Sequence, residues 1–214
     1  MSRRGSSVSH EVAGLPEGIL GHHFSSLARQ NEAMRLGMWL FLATEILLFG
    51  GLFCGYAVYR FQFQLAFAEC SRHLNLTAGT VNTLVLITSS LTVALAIHFA
   101  RTNRQRAAVI CLVLTILFAL GFLGIHERAL PGKYYAFEAV KVPGAAMFYS
   151  LYFLMTGLHG LHVVIGMSVL AWILWRTVQG RYSSKYYTGL ELGGLYWHLV
   201  DLIWIFLYPL LYLI

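Results

Sequence analysis

Five long apolar segments set what this chain can become. They run over about 35–59, 78–100, 107–125, 144–175 and 190–214, and each can cross a hydrocarbon core of about 30 Å, which takes about 20 helical residues. Period-two alternation is absent and the runs are too long for barrel strands. Backbone in lipid must satisfy its own hydrogen bonds, so helices are the remaining solution. The expected fold is all-α, a polytopic membrane bundle of five transmembrane helices over 35–214 behind a cytoplasmic tail over 1–34. Composition agrees, with 58% hydrophobic and 11% charged residues, where a soluble domain carries about a quarter charged.

The tail has no apolar core of signal-peptide length and is expected to stay uncleaved. A net charge of +6 would suggest nucleic acid in a soluble protein, but here the basic residues sit between apolar runs and read as topology signals, so no nucleic-acid partner is expected. With the N-terminus inside, ten basic residues fall on the inner side, from Arg3 to Lys185, and five on the outer: Arg60, Arg72, Arg128, Lys133 and Lys141. The positive-inside rule therefore predicts a cytoplasmic N-terminus and a periplasmic C-terminus. Cys54, Cys70 and Cys111 form no CxxC pair, which leaves a disulfide framework or thiolate zinc site without support.

Ionisable groups within spans carry the most weight, because a charge at the bilayer centre is costly. Five are worth naming: Glu45, His159, His162, His198 and Asp201. Glu45 and Asp201 lie on the order of 15 Å deep and His162 about 20 Å, counting 1.5 Å per residue. They are expected to share one buried layer tying the first, fourth and fifth spans together. His159 with His162, and His198 with Asp201, are three apart and so share a helical face. A structural hydrogen-bond network is the simplest reading. Haem ligation by His159 or His162 with His198 is the sharper alternative, and a proton role for Glu45 stands beside that of a satisfied carboxylic acid. A di-iron bundle would need further glutamates and Glu-x-x-His motifs, which are absent.

Gly50, Gly51 and Gly55 suggest close helix packing. The polar stripe Asn82, Thr83, Thr88, Ser89, Ser90, Thr92 and His98 suggests interhelical hydrogen bonds before it suggests a solute pathway. Tyr56, Tyr59, Tyr134, Tyr135, Trp172, Trp175, Tyr186, Tyr187, Tyr208 and Tyr212 read as an interfacial belt. Arg35, Arg176, Arg181 and Lys185 are candidates for holding anionic lipid headgroups.

Three runs carry a resemblance: TGLHGLHVVIG at Thr156–Gly166, YWHLVDLIWIFLY at Tyr196–Tyr208 and LNLTAGTVNTLVLITSS at Leu74–Ser90. They are similar to subunit III of haem–copper respiratory oxidases. The run around Glu45 resembles its third helix and RYSSKYYTGLEL its last inner loop, so the likeness extends in order from Arg35 to the C-terminus. The resemblance implies a non-catalytic, cofactor-free subunit packed on the catalytic subunit I, beside subunit II. Such a subunit stabilises the complex, binds phospholipids and supports proton uptake during oxygen reduction coupled to proton pumping. Haems and copper belong to the partner subunits. Glu45 falls at the family's buried glutamate, and His159, His162, His198 and Asp201 on its motif positions; Arg35 and Arg176 fall where the family has basic residues near lipid headgroups.

Longer members have seven helices, and the five spans here resemble short forms in bacterial quinol oxidases and some bacterial cytochrome c oxidases. The expected location is therefore the bacterial cytoplasmic membrane. Related short proteins accompany nitric oxide reductases, which makes an accessory subunit of such a complex the alternative. An independent membrane transporter, and a metal or haem enzyme using the span histidines, are the further hypotheses.

Overall fold

A computed structural model describes residues 24–129, 142–184 and 186–214. Six helices follow in order: α1 Leu27–Gln62, α2 Gln64–Arg72, α3 Leu76–Arg101, α4 Gln105–Ala129, α5 Ala145–Val178 and α6 Thr188–Tyr212. Five of them, all but α2, are long and apolar enough to cross a membrane. Among the described residues no strand is present beyond an isolated bridge between Ser183 and Tyr186. The all-helical, multi-pass architecture expected from the apolar runs is the one observed.

Several helix ends lie outside their apolar segments because hydrophobicity marks the hydrocarbon, whereas caps mark helix ends. Thus α1 begins at Leu27 and not at Arg35, where the Ser26 hydroxyl accepts from the Arg29 amide at 3.3 Å. Asn75 likewise caps α3 by accepting from the Ala78 amide at 3.0 Å. The turn between α3 and α4 needs a left-handed residue, and Asn103 supplies it at φ 57°. Its side chain clamps Ser184 through two hydrogen bonds of 3.0 and 2.8 Å, fixing the loop after α5 to this hairpin.

Helix α6 is the axis of the bundle. Half of its most apolar window is buried inside the chain, against 11% for α1; α3 and α5 flank α6, α4 packs on α3 and α5, and α1 leans on α5 and α6 as an outer member. Close approach of α5 and α6 depends on small residues: a Cβ on Gly166 would sit 2.9 Å from the Trp197 ring, and one on Gly193 would overlap Ile173. Gly50, Gly51 and Gly55 do not serve this purpose, because a Cβ at any of them meets nothing within 4 Å. They face outward from α1, the helix with the least burial.

The aromatic belt also needs correction. Trp172 and Trp175 are exposed near the α5 end as expected, but Tyr56 is wholly buried and Tyr212 nearly so. The Tyr56 hydroxyl donates to the Leu210 carbonyl at 2.7 Å, which is one of the carbonyls that α6 leaves open at its end. Tyr212 bonds Tyr152 at 3.0 Å and Tyr208 bonds Thr80 at 2.7 Å. Hydroxyls near a helix end thus serve the protein here, not the lipid interface. Tyr134 and Tyr135 lie outside the described residues.

Candidate functional site

The five span residues do not join in one hydrogen-bonded network; their contacts divide them into three groups. The first joins α1 to α5. His162 Nε2 lies 2.8 Å from Glu45 Oε2, while its Nδ1 lies 2.7 Å from the Leu158 carbonyl. A carbonyl can only accept, so Nδ1 carries a hydrogen. One further proton is then shared across the 2.8 Å contact, on either Nε2 or the carboxyl. Phe49 presses on the imidazole at 5.3 Å, and the Tyr196 hydroxyl donates to the His162 carbonyl at 3.2 Å, which brings α6 into the same joint.

The second group lies on the opposite flank of α6, against α3. Ser90 Oγ and His198 Nδ1 are 2.6 Å apart. Asp201, 3% exposed, lies one turn further along α6, and no protein donor completes a hydrogen bond to either of its carboxyl oxygens. The Ser90 hydroxyl lies beside that carboxyl. All three line a groove of about 450 Å³ whose other walls are Leu86, Leu91, Leu202 and Ile205.

His159 makes no hydrogen bond to the other four. Its ring is 5.2 Å from Trp204 and 5.7 Å from Phe122, and neither ring nitrogen has a protein partner. His126 of α4 joins the same ring cluster, stacked on Phe122 at 5.8 Å and 5.6 Å from Trp204. Sequence reasoning passed over His126 because it sits near a span end beside charged residues, where a histidine reads as interfacial. The facing pair of histidines that a haem would need is not assembled: His162 is held by Glu45, His198 by Ser90, and His159 is packed among rings. Among the described residues no group of three or more His, Cys, Asp or Glu side chains could hold a metal.

At the end of the bundle carrying the N-terminus of α1, Glu191 is the hub. It accepts from Arg35 at 3.1 Å and also from Arg101, whose guanidinium lies 4.9 Å above the Tyr187 ring. Glu191 was missed as a site residue, although a lone carboxylate facing several arginines across the same interface was a readable signal. Arg35 is therefore partly committed to protein. Arg176 lies 4.8 Å over Trp172, with its buried Nε lacking a protein partner. It lines a mostly apolar groove of about 390 Å³ between α1, α5 and α6, with Met38, Trp172, Tyr186 and Tyr196 among its walls. Arg181 is half-buried in the loop after α5, and Lys185 lies outside the described residues.

The polar stripe on α3 serves interhelical hydrogen bonds at Thr83, Ser89, Ser90 and Thr92, while Thr88 bonds only its own helix and Asn82 Oδ1 has no partner. Thr83 and Ser89 accept from the indoles of Trp204 and Trp197, each at 3.1 Å, and Thr92 bonds Thr115 of α4 at 2.8 Å.

Comparison with known proteins covers almost the whole chain. A family model described as cytochrome c oxidase subunit III matches residues 14–214. Proteins named cytochrome c oxidase subunit 3 from Formosania lacustris, Cyprinus carpio and Xenopus laevis are each 33% identical over 198 residues, covering 90% of this chain and 72% of the relative.

Proposed function

Because the chain belongs to the cytochrome c oxidase subunit III family, we propose that it acts as a non-catalytic subunit of a haem–copper terminal oxidase, packed on catalytic subunit I beside subunit II. The observation that carries the reading is the Glu45–His162 joint, formed by motif residues whose setting is structural. A shared proton between α5 and the least buried helix holds α1 in place as a rib. Its outward face, with Leu40, Leu47 and Val58 exposed, remains for lipid or a neighbouring subunit. The haems and copper of such a complex reside in its partners, and no catalytic role falls to a side chain of this one.

Phospholipid binding is proposed at the groove between α1, α5 and α6. Its acyl-compatible walls end at Arg176, whose guanidinium suits a phosphate group. Arg35 contributes charge there while also bonding Glu191; Arg181 and Lys185 are the weaker candidates. The proposed orientation places the end bearing Arg35, Arg101 and Arg176 in the cytoplasm of a bacterial cell, supported by the ten-to-five asymmetry of basic residues. The role in the complex is to stabilise it, retain lipid and sustain proton uptake.

Removing the chain from the purified oxidase and adding it back tests this role. Sustained turnover and bound phospholipid should fall on removal and recover on return. Equal turnover with and without the chain would overturn the reading.

A further inference from the structure

A carboxyl group in hydrocarbon with no donor to either oxygen needs a proton of its own or a partner that supplies one. Asp201 is in that position, and its neighbours form an ordered series. Glu191, His198 and Asp201 lie at spacings of seven and three on α6, so they share one stripe. Along that stripe the distance from Glu191 to Asp201 is about 15 Å at 1.5 Å per residue. His198 lines two grooves at once. One, of about 370 Å³, opens at the Arg35–Glu191–Arg101 cluster; the other, of about 450 Å³, contains Ser90 and Asp201.

We propose that the α3–α6 groove holds a proton-binding site in which Asp201 takes up and releases a proton through Ser90 and His198 toward the arginine-rich end of the bundle. The site deepens the proton-uptake part of the function proposed above and rests on it only for the proton's destination.

Rotation of the Asp201 carboxyl onto the neighbouring Ser90 hydroxyl closes a hydrogen-bond chain with two complete arrangements. In one, the protonated Asp201 carboxyl donates to Ser90 Oγ and the Ser90 hydroxyl donates to His198 Nδ1, whose ring is neutral with hydrogen on Nε2. In the other, the Asp201 proton has passed to Ser90 Oγ as the Ser90 proton passed to Nδ1, leaving a carboxylate and an imidazolium. Loss of the Nε2 proton to a water molecule entering the groove from the Glu191 end, which leaves as hydronium, returns the ring to neutral with hydrogen on Nδ1. Proton count and charge balance at each step, and uptake is the reverse. The 2.6 Å contact between Ser90 and His198 is the link both arrangements use.

Other titratable groups on the helices packed against α6 are engaged elsewhere. Glu45 of α1 and His162 of α5 bond each other, and His159 of α5 lies among Phe122 and Trp204. Arg35 of α1 and Arg101 of α3 hold Glu191, His98 of α3 packs on Phe99, and Glu69 and Arg72 of α2 pair with each other while Cys70 is buried beside Tyr149. None acts on the Asp201 carboxyl, which has Ser90 as its polar neighbour.

The test is infrared difference spectroscopy with deuterium exchange on whatever assembly the tagged full chain brings down. A protonated-carboxyl carbonyl band is expected that D201N removes. S90A should keep the band and slow its deuterium shift roughly a hundredfold, since a positioned proton-transfer group contributes on that order, and H198Q should slow it likewise. A D201N spectrum with every carboxyl band intact would overturn the site. So would exchange in S90A as fast as in the unmodified chain, a measurement that stands even if D201N fails to assemble. The oxidase reading fails on a different observation, the absence of haem-bearing partners, so the two failures are distinguishable.

Discussion

Glu45 and His162 show how much one shared proton can decide. With Nδ1 committed to the Leu158 carbonyl, Nε2 has Glu45 as its partner at 2.8 Å. Glu45→Leu strands that nitrogen in an apolar site and should cost about 1–3 kcal/mol, whereas Glu45→Gln can still donate to it and should cost much less. Thermal unfolding of the purified complex measures both, and equal losses would contradict the shared-proton account. Cys70, on α2 outside the spans, gives a pH prediction. Burial pushes its thiol from 9.0 up to about 11, so between those values the unfolded chain has lost a proton that the folded chain keeps. Folded-state stability then declines as pH rises through that window, and C70A should lack this part of the decline in a melting series from pH 8 to about 11.

Among elements, what the sequence made legible was the existence and type of each span, because about 20 consecutive apolar residues admit few alternatives. Packing was legible only where a residue type has a single use: the Thr and Ser stripe on α3 bonds its neighbours as expected. Glycine did not read so well. Gly50, Gly51 and Gly55 promised a contact and face open space, while Gly166 and Gly193, which nothing in the local pattern distinguishes, receive Trp197 and Ile173. Composition states that a helix has a small face, not which neighbour occupies it. Gly166→Ala should therefore cost about 1–3 kcal/mol by forcing a buried Trp197 aside, visible as a lower melting temperature; an unchanged one would show that α5 and α6 can separate freely. The short α2 escaped notice because nine residues bury only Ala66, Phe67, Cys70 and Ser71, too few to stand out between spans.

At the scale of the whole molecule, the candidate site was half legible. Glu45, His159, His162, His198 and Asp201 were identifiable from the cost of placing them in lipid, whereas Glu191 was not, and their grouping depended on the rotation of each helix about its axis, which depth along the chain does not encode. Hence Glu45 and Asp201, similar in depth, lie on different flanks of α6, one against His162 and the other against Ser90. The bundle that results has a packed centre on α6, a lightly attached α1 and broad apolar outer faces. The most direct test is to purify the affinity-tagged chain gently from its native membrane and record reduced-minus-oxidised spectra, with peptide identification of whatever accompanies it. The account predicts haem bands and a copper-bearing catalytic subunit with oxygen reductase activity. A stable chain isolated without haem partners would contradict it.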